Sequence, residues 1–173
     1  SYNPLIIHIA DPEWMHQWAV EIPTQAWVLA KALWPGPLTL ILKRHPKVSK
    51  RITAGQESVA LRIPNHPLTL GLLQQFNRGI VAPSANPSGR ISPTTAEHVR
   101  LHLKHRVDYI LEGGPCSIGI ESTILDLSRL ETAHSLQMQW VDTKQVTDEA
   151  MQVVLSMANL NSKEIIVKID VEK

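Results

Sequence analysis

Apolar residues along this chain fall into two alternating kinds of segment: short continuous runs rich in β-branched residues, and longer stretches with Trp and aliphatic residues at helical spacing. The run "PLIIHIA" predicts a strand, and "DPEWMHQWAVEI" and "PTQAWVLAKALW" predict two helices. "PGPLTLILKR" turns back into a strand through a rigid Pro-Gly-Pro turn. The alternation then repeats: "SVALRIP" a strand, "HPLTLGLLQQF" a helix, "GIVA" a strand and "TTAEHVRLHLKH" a helix. "VDYILEGG" and "STILDLS" read as further strands, "TDEAMQVVLSMANL" as a late helix, and "EIIVKIDVEK" as an edge strand or a tail. Strands alternating with helices predict a layered α/β fold, and the apolar runs are too continuous for a sheet exposed on one face. No repeat, low-complexity tract or charge run marks a linker, so residues 1–173 are expected to form a single domain.

Composition narrows the class without naming a chemistry. With 173 residues and 43% hydrophobic content the chain can bury a real core, and a net charge of +1 neither calls for nor excludes a polyanion. The single Cys116 rules out an internal disulfide and a cysteine-rich zinc site. No apolar run is long enough to span a membrane, and no secretory signal is present, so a cytoplasmic protein is expected. The chain opens on Ser1 and runs directly into an apolar strand, the pattern of a sequence whose first segment lies elsewhere.

The chemistry concentrates in a few loops. "VAPSANPSGRISPT" runs from a strand end through hydroxyls, an amide and prolines into a helix start, with Ser92 or Thr94 as the expected N-cap. Open α/β sheets place ligands at strand carboxyl ends, and a helix N-terminus suits a phosphate, yet an ordinary strand-loop-helix connection fits the same residues. Arg62 interrupts an apolar strand and needs a carboxylate, solvent or an anionic ligand, an internal ion pair being the plainer choice. Gly113 and Gly114 permit close backbone approach ahead of Ser122 and Thr123, although a simple turn would use them too. His98, His102 and His105 share a helical spacing that could hold a metal, but Arg100, Lys104 and Arg106 alternate with them, so a solvated face is expected and no metal site. Trp14, Trp18, Trp27, Trp34 and Trp140 are expected in the core or capping it. No nucleophile elbow, Walker loop, G-x-G-x-x-G or Cys-His pair is present, so covalent catalysis and the commonest nucleotide folds lose support.

Taken in order, "NPLIIH", "WPGPLTLIL", "SVALRIPNHP", "APSANPSGRISPT" and "EGGPCSIGIESTILD" resemble the YrdC family of threonylcarbamoyl-AMP synthases, over roughly residues 3 to 128. The resemblance implies a twisted open α/β sheet with flanking helices and a central substrate cavity. It implies a nucleotidyltransferase that turns L-threonine, bicarbonate and ATP, the last as its Mg²⁺ complex, into threonylcarbamoyl-AMP and pyrophosphate, toward threonylcarbamoyladenosine in tRNA. Carried over by motif, Asn3, Ser58, Ser84, Asn86 and Ser92 would contact ATP; His8, Arg62, the Ala82 backbone and Ser122 would hold L-threonine. No catalytic side chain is assigned, and catalysis by positioning and charge stabilisation is expected. The family's T-x-T-x-Y-G-L and K-x-R segments would precede "NPL" and do not precede it in this sequence, and "LQMQWVDTKQ" stands where an R-P-G arginine is usual. Two other readings use the same fold. One is an RNA-binding module for tRNA or double-stranded RNA; the other is a paralogue that adenylates a different carbamoyl or acyl compound. A downstream tRNA threonylcarbamoyltransferase complex is a candidate partner.

Overall fold

A computed structural model describes residues 4–87, 91–117 and 122–129, together with the backbone of 136–140 and 165–169. Two compact units emerge, one from residues 1–82 and 122–173 and the other from residues 83–121. The first is built on a mixed sheet of seven strands in the order β4-β1-β3-β2-β5-β6-β7. Its strands are β1 (Ile6–His8), β2 (Leu38–Lys43), β3 (Ser58–Arg62), β4 (Ile80–Ala82), β5 (Thr123–Asp126), β6 (Leu136–Trp140) and β7 (Ile165–Ile169). β1 runs parallel to β3, and β2 parallel to β5, while β2–β3 and β1–β4 are antiparallel.

Alternation along the strands sorts the sheet into two faces. Ile7, Leu38, Leu40, Leu42, Val59, Leu61 and Leu125 point into one buried core. Met15, Ala26, Leu29, Ala30 and Trp34, from α1 (Met15–Trp18), α2 (Thr24–Leu33) and the residue that ends α2, complete it. Trp34 meets the Trp expectation directly: its ring is buried and its Nε1 donates to the Leu38 carbonyl at 2.7 Å. Trp14, Trp18 and Trp27 pack at the rim, whereas the Trp140 side chain lies outside the described residues. Helix α3 (Pro67–Phe76) ends at Asn77, whose left-handed backbone (φ 53°) stops it. Gly79 then passes so close to the core that an added Cβ would stand 2.6 Å from the Trp18 ring and 3.0 Å from Ile7.

Several expectations change. Residues 11–22 do not form one helix: a 3₁₀ turn at Pro12–Trp14, capped by the Asp11 carboxylate, leads into the short α1, and the chain then becomes extended at Ala19. There Val20 donates to the Lys43 carbonyl and His45 to that of Trp18, so pairing beside β2 outcompetes helix propagation. The β6 segment, not anticipated as a strand, pairs antiparallel with β5, and β7 forms the sheet edge. The helix expected over 147–160 lies outside the described residues. Among the described residues no helix is long and apolar enough to cross a membrane.

In the second unit, α4 (Ala96–Leu103) is capped by Thr95, whose hydroxyl accepts from the His98 amide at 3.2 Å, rather than by Ser92 or Thr94. Residues 107–114 are not a strand. They have no ladder partner among the described residues, with Tyr109 84% exposed, and Cys116 N–H donates to the Thr94 carbonyl.

Candidate functional site

Three candidate side chains in the first unit converge through strand register. β1 and β3 are parallel and in step, so His8 lies directly beside Arg62 at their shared carboxyl end. β2 runs back from that end, and β5 starts there with Thr123 opposite Leu38, which brings the preceding Ser122 to the same edge. Because Val59 and Leu61 enter the core, Arg62 must occupy the opposite face, and the same alternation puts His8 and Ser122 there. The three expected threonine side chains therefore share one end and one face of the sheet.

The other two described candidates of this unit share the face but not the end. Ala82 pairs with Ile6 across β4–β1, at the opposite end of that short ladder from the His8–Ile80 pair. Ser58 opens β3 beside Lys43 and stands about 13 Å along the strand from Arg62, at roughly 3.3 Å per residue. Its hydroxyl donates to the Gln56 side-chain carbonyl at 3.3 Å. Asn3 lies outside the described residues.

Electrostatics distinguish the His8–Arg62 end. Arg62 is half-buried, its Nε donating to the Gly36 carbonyl at 3.1 Å, and its own carbonyl accepts from Ile9 N–H at 3.0 Å. Burial first, and then the Arg62 cation, lower the His8 pKa below its ordinary 6.5; backbone groups of Ile80 and Ile6 pull weakly the other way. At neutral pH His8 is therefore an uncharged imidazole with one donor and one acceptor nitrogen.

Sequence reasoning missed the role of the turn after α2. Gly36 is buried, its carbonyl meets Arg62, and its N–H donates to the Ile63 carbonyl at 2.9 Å. The next residue, Pro37, accepts from Thr123 N–H at 2.9 Å. A glycine held between two prolines ahead of a strand was the available signal. Thr39, wholly buried on the same sheet face as Arg62, was missed as well; its hydroxyl has no hydrogen-bond partner among the described residues.

The second unit carries the other candidate loop. Ser84 is exposed, Asn86 is half-buried with Nδ2 3.5 Å from the Pro87 carbonyl, and Ser92 is half-buried ahead of α4. Residues 88–90 of this loop lie outside the described residues. Gly114 adopts a left-handed φ of 82°, and its N–H reaches the Glu112 carboxylate. The histidine row is broken: α4 ends at Leu103, so His105 sits in a separate 3₁₀ turn, and His98 contacts Thr94 through Nδ1. A depression of about 470 Å³ at the carboxyl end of α4, lined by Pro87, Leu101, His102, Lys104, His105 and Arg106 among others, includes none of the candidate ATP or threonine contacts. Its cations face the helix's negative end, which accounts for them.

The Sua5/YciO/YrdC family model, described as telomere recombination, matches residues 1–136. Threonylcarbamoyl-AMP synthase of Bacillus subtilis is 51% identical over 126 residues, 72% of this chain and 36% of the relative. The Pyrococcus abyssi protein of the same name is 48% identical over 126 residues, 73% of this chain and 37% of the relative. A crystal structure of P. abyssi Sua5 complexed with L-threonine superposes with a TM-score of 0.72 at 26% identity, over 98% of this chain and 75% of that one. The chain thus spans little more than a third of the length of these two curated relatives. With matched residues running from the first strand through β5, the chain belongs to the Sua5/YciO/YrdC family.

Proposed function

We propose that this chain supplies the L-threonine-binding sheet of an L-threonylcarbamoyladenylate synthase, a nucleotidyltransferase acting in the cytoplasm on L-threonine, bicarbonate and Mg-ATP. The observation that carries the proposal is the guanidinium of Arg62 beside a neutral His8, with Ser122 at the same sheet edge. An amino-acid carboxylate fits a guanidinium through two parallel hydrogen bonds. A neutral imidazole can accept from the substrate's hydroxyl or amine, whereas an imidazolium could only donate. The Ser122 hydroxyl adds a contact at the same edge, and the Ala82 backbone, on the same face but two residues along the β1–β4 ladder, is the remaining contact implied by the resemblance.

The chemistry needs no protein nucleophile. The uncharged threonine nitrogen attacks the carbon of carbon dioxide drawn from bicarbonate, forming a carbamate and releasing a proton. A carbamate oxygen then attacks the α-phosphorus of ATP, the bond to the bridging oxygen breaks, and pyrophosphate leaves with its Mg²⁺. Positioning supplies much of the rate, since two bound reactants avoid the entropy of encounter. Asn3 and Ser58, and separately Ser84, Asn86 and Ser92, are the proposed nucleotide contacts. The product would be handed to tRNA modification, through a threonylcarbamoyltransferase complex. Calorimetric titration of the full-length protein tests the threonine assignment: L-threonine should bind and L-threoninamide, lacking the carboxylate, should not. Equal affinity for the two would remove Arg62 from the role.

A further inference from the structure

The Trp34–Pro37 turn touches both sides of the proposed amino-acid site by hydrogen bonds that leave little freedom. Gly36 takes the Arg62 Nε–H on its carbonyl at 3.1 Å and gives its own N–H to the Ile63 carbonyl at 2.9 Å. One peptide segment thereby fixes the Arg62 side chain and the backbone following it. Pro37 receives the Thr123 N–H at 2.9 Å, directly after Ser122. The turn is itself anchored by the buried Trp34 indole, bonded to the Leu38 carbonyl at 2.7 Å. Only glycine fits, because a Cβ at position 36 would stand 2.3 Å from the Leu33 carbonyl oxygen, a backbone atom that cannot swing away.

From this we infer that Gly36 is a positioning residue: its carbonyl orients the Arg62 guanidinium, while the adjoining Pro37 contact spaces Arg62 from Ser122. A guanidinium pinned at Nε keeps its plane fixed, and a ligand carboxylate is met by the terminal nitrogens, end-on. Arginine is needed for this as well as for charge, since lysine gathers its three donors on one nitrogen and cannot hold the carbonyl at one atom while presenting a planar pair of others to a carboxylate. The inference rests on the amino-acid reading of the site, but the pinning can be measured without any ligand.

Gly36→Ala in the full-length protein, with Gly71→Ala as a control in open space on α3, provides the first test. If it folds, Gly36→Ala should weaken L-threonine binding at least about tenfold, change ATP binding less than about twofold, and raise the His8 titration toward its ordinary value as the cation moves away. A folded Gly36→Ala protein with parental threonine affinity and unchanged His8 titration would overturn the inference. Should the variant not fold, nitrogen NMR of the parent protein decides. The Arg62 Nε–H should be protected from solvent exchange before any ligand is added, and saturating L-threonine should shift the terminal nitrogens more than Nε. Rapid exchange at Nε, or a dominant shift there, sinks the proposal. Failure of the parent to bind threonine while Nε–H stays protected would count against the amino-acid reading and leave the pinning intact.

Discussion

His8 and Arg62 are register partners on adjacent parallel strands, and burial together with the neighbouring guanidinium holds the His8 imidazole below its usual pKa. The consequence for stability has a definite sign. The unfolded chain takes up a proton at His8 near the ordinary 6.5, whereas the folded chain does so only at lower pH. Between those two values the unfolded state binds more protons, so this contribution to stability rises with pH across the window and is lost as pH falls. Above 6.5 it is level. His8→Gln should flatten that part of the profile in urea titrations taken at successive pH values, and an unchanged slope would assign the acid sensitivity to other groups.

Arg62→Ala should abolish threonine-dependent pyrophosphate release, and Arg62→Lys should restore little of it. Removing one partner of a desolvated charged hydrogen bond costs about 2 to 5 kcal/mol. Activity of full-length variants, checked for folding by circular dichroism, measures this; a folded Arg62→Ala protein with normal turnover contradicts it.

Ser84 and Asn86 lie in the loop of the second unit, where hydroxyls and amides that only cap turns contribute about 1 kcal/mol each to stability. If they contact nucleotide, Ser84→Ala with Asn86→Ala should weaken ATP binding at least tenfold, about 1.4 kcal/mol, and affect threonine binding less. A double variant that melts earlier yet binds ATP like the parent marks the loop as structural.

Two glycines separate packing from propensity. Gly79→Ala drives a methyl into Trp18 and Ile7 and should destabilise by about 1 to 3 kcal/mol. Gly71→Ala, in open space on α3, should stabilise by about 0.5 to 1 kcal/mol. Chemical denaturation of both variants gives the comparison.

Arg44 and Glu57 form a 2.6 Å ion pair of unequal partners, the arginine side chain 7% exposed and the glutamate 68%. Arg44 also donates to the Val48 carbonyl at 2.7 Å, which pins the loop between β2 and β3. Arg44→Ala should therefore cost about 1 to 3 kcal/mol by orphaning a buried acceptor. Glu57→Gln should change stability little, since exposed pairs are screened by water.

Much of this architecture was legible in the residues. Continuous apolar runs marked β1 to β5, and helical spacing with flanking prolines marked α2, α3 and α4. The misreadings share a cause. Residues 11–22 carry a helical pattern, but Ala19 and Val20 gain more by pairing beside β2. Residues 107–114 have strand composition, yet composition provides no neighbouring strand. At the site, Arg62 stood out because a charge interrupted an apolar run. Gly36 did not, because what makes it matter is a hydrogen bond to a residue distant in sequence.

The most direct test is to supply full-length protein with isotopically labelled bicarbonate, Mg-ATP and L-threonine, and to identify the product by mass spectrometry. The account predicts labelled threonylcarbamoyl-AMP and pyrophosphate in equal amounts, requiring all three substrates and lost in Arg62→Ala. Pyrophosphate release that proceeds without L-threonine, or a nucleotide product that never carries the label, would contradict it.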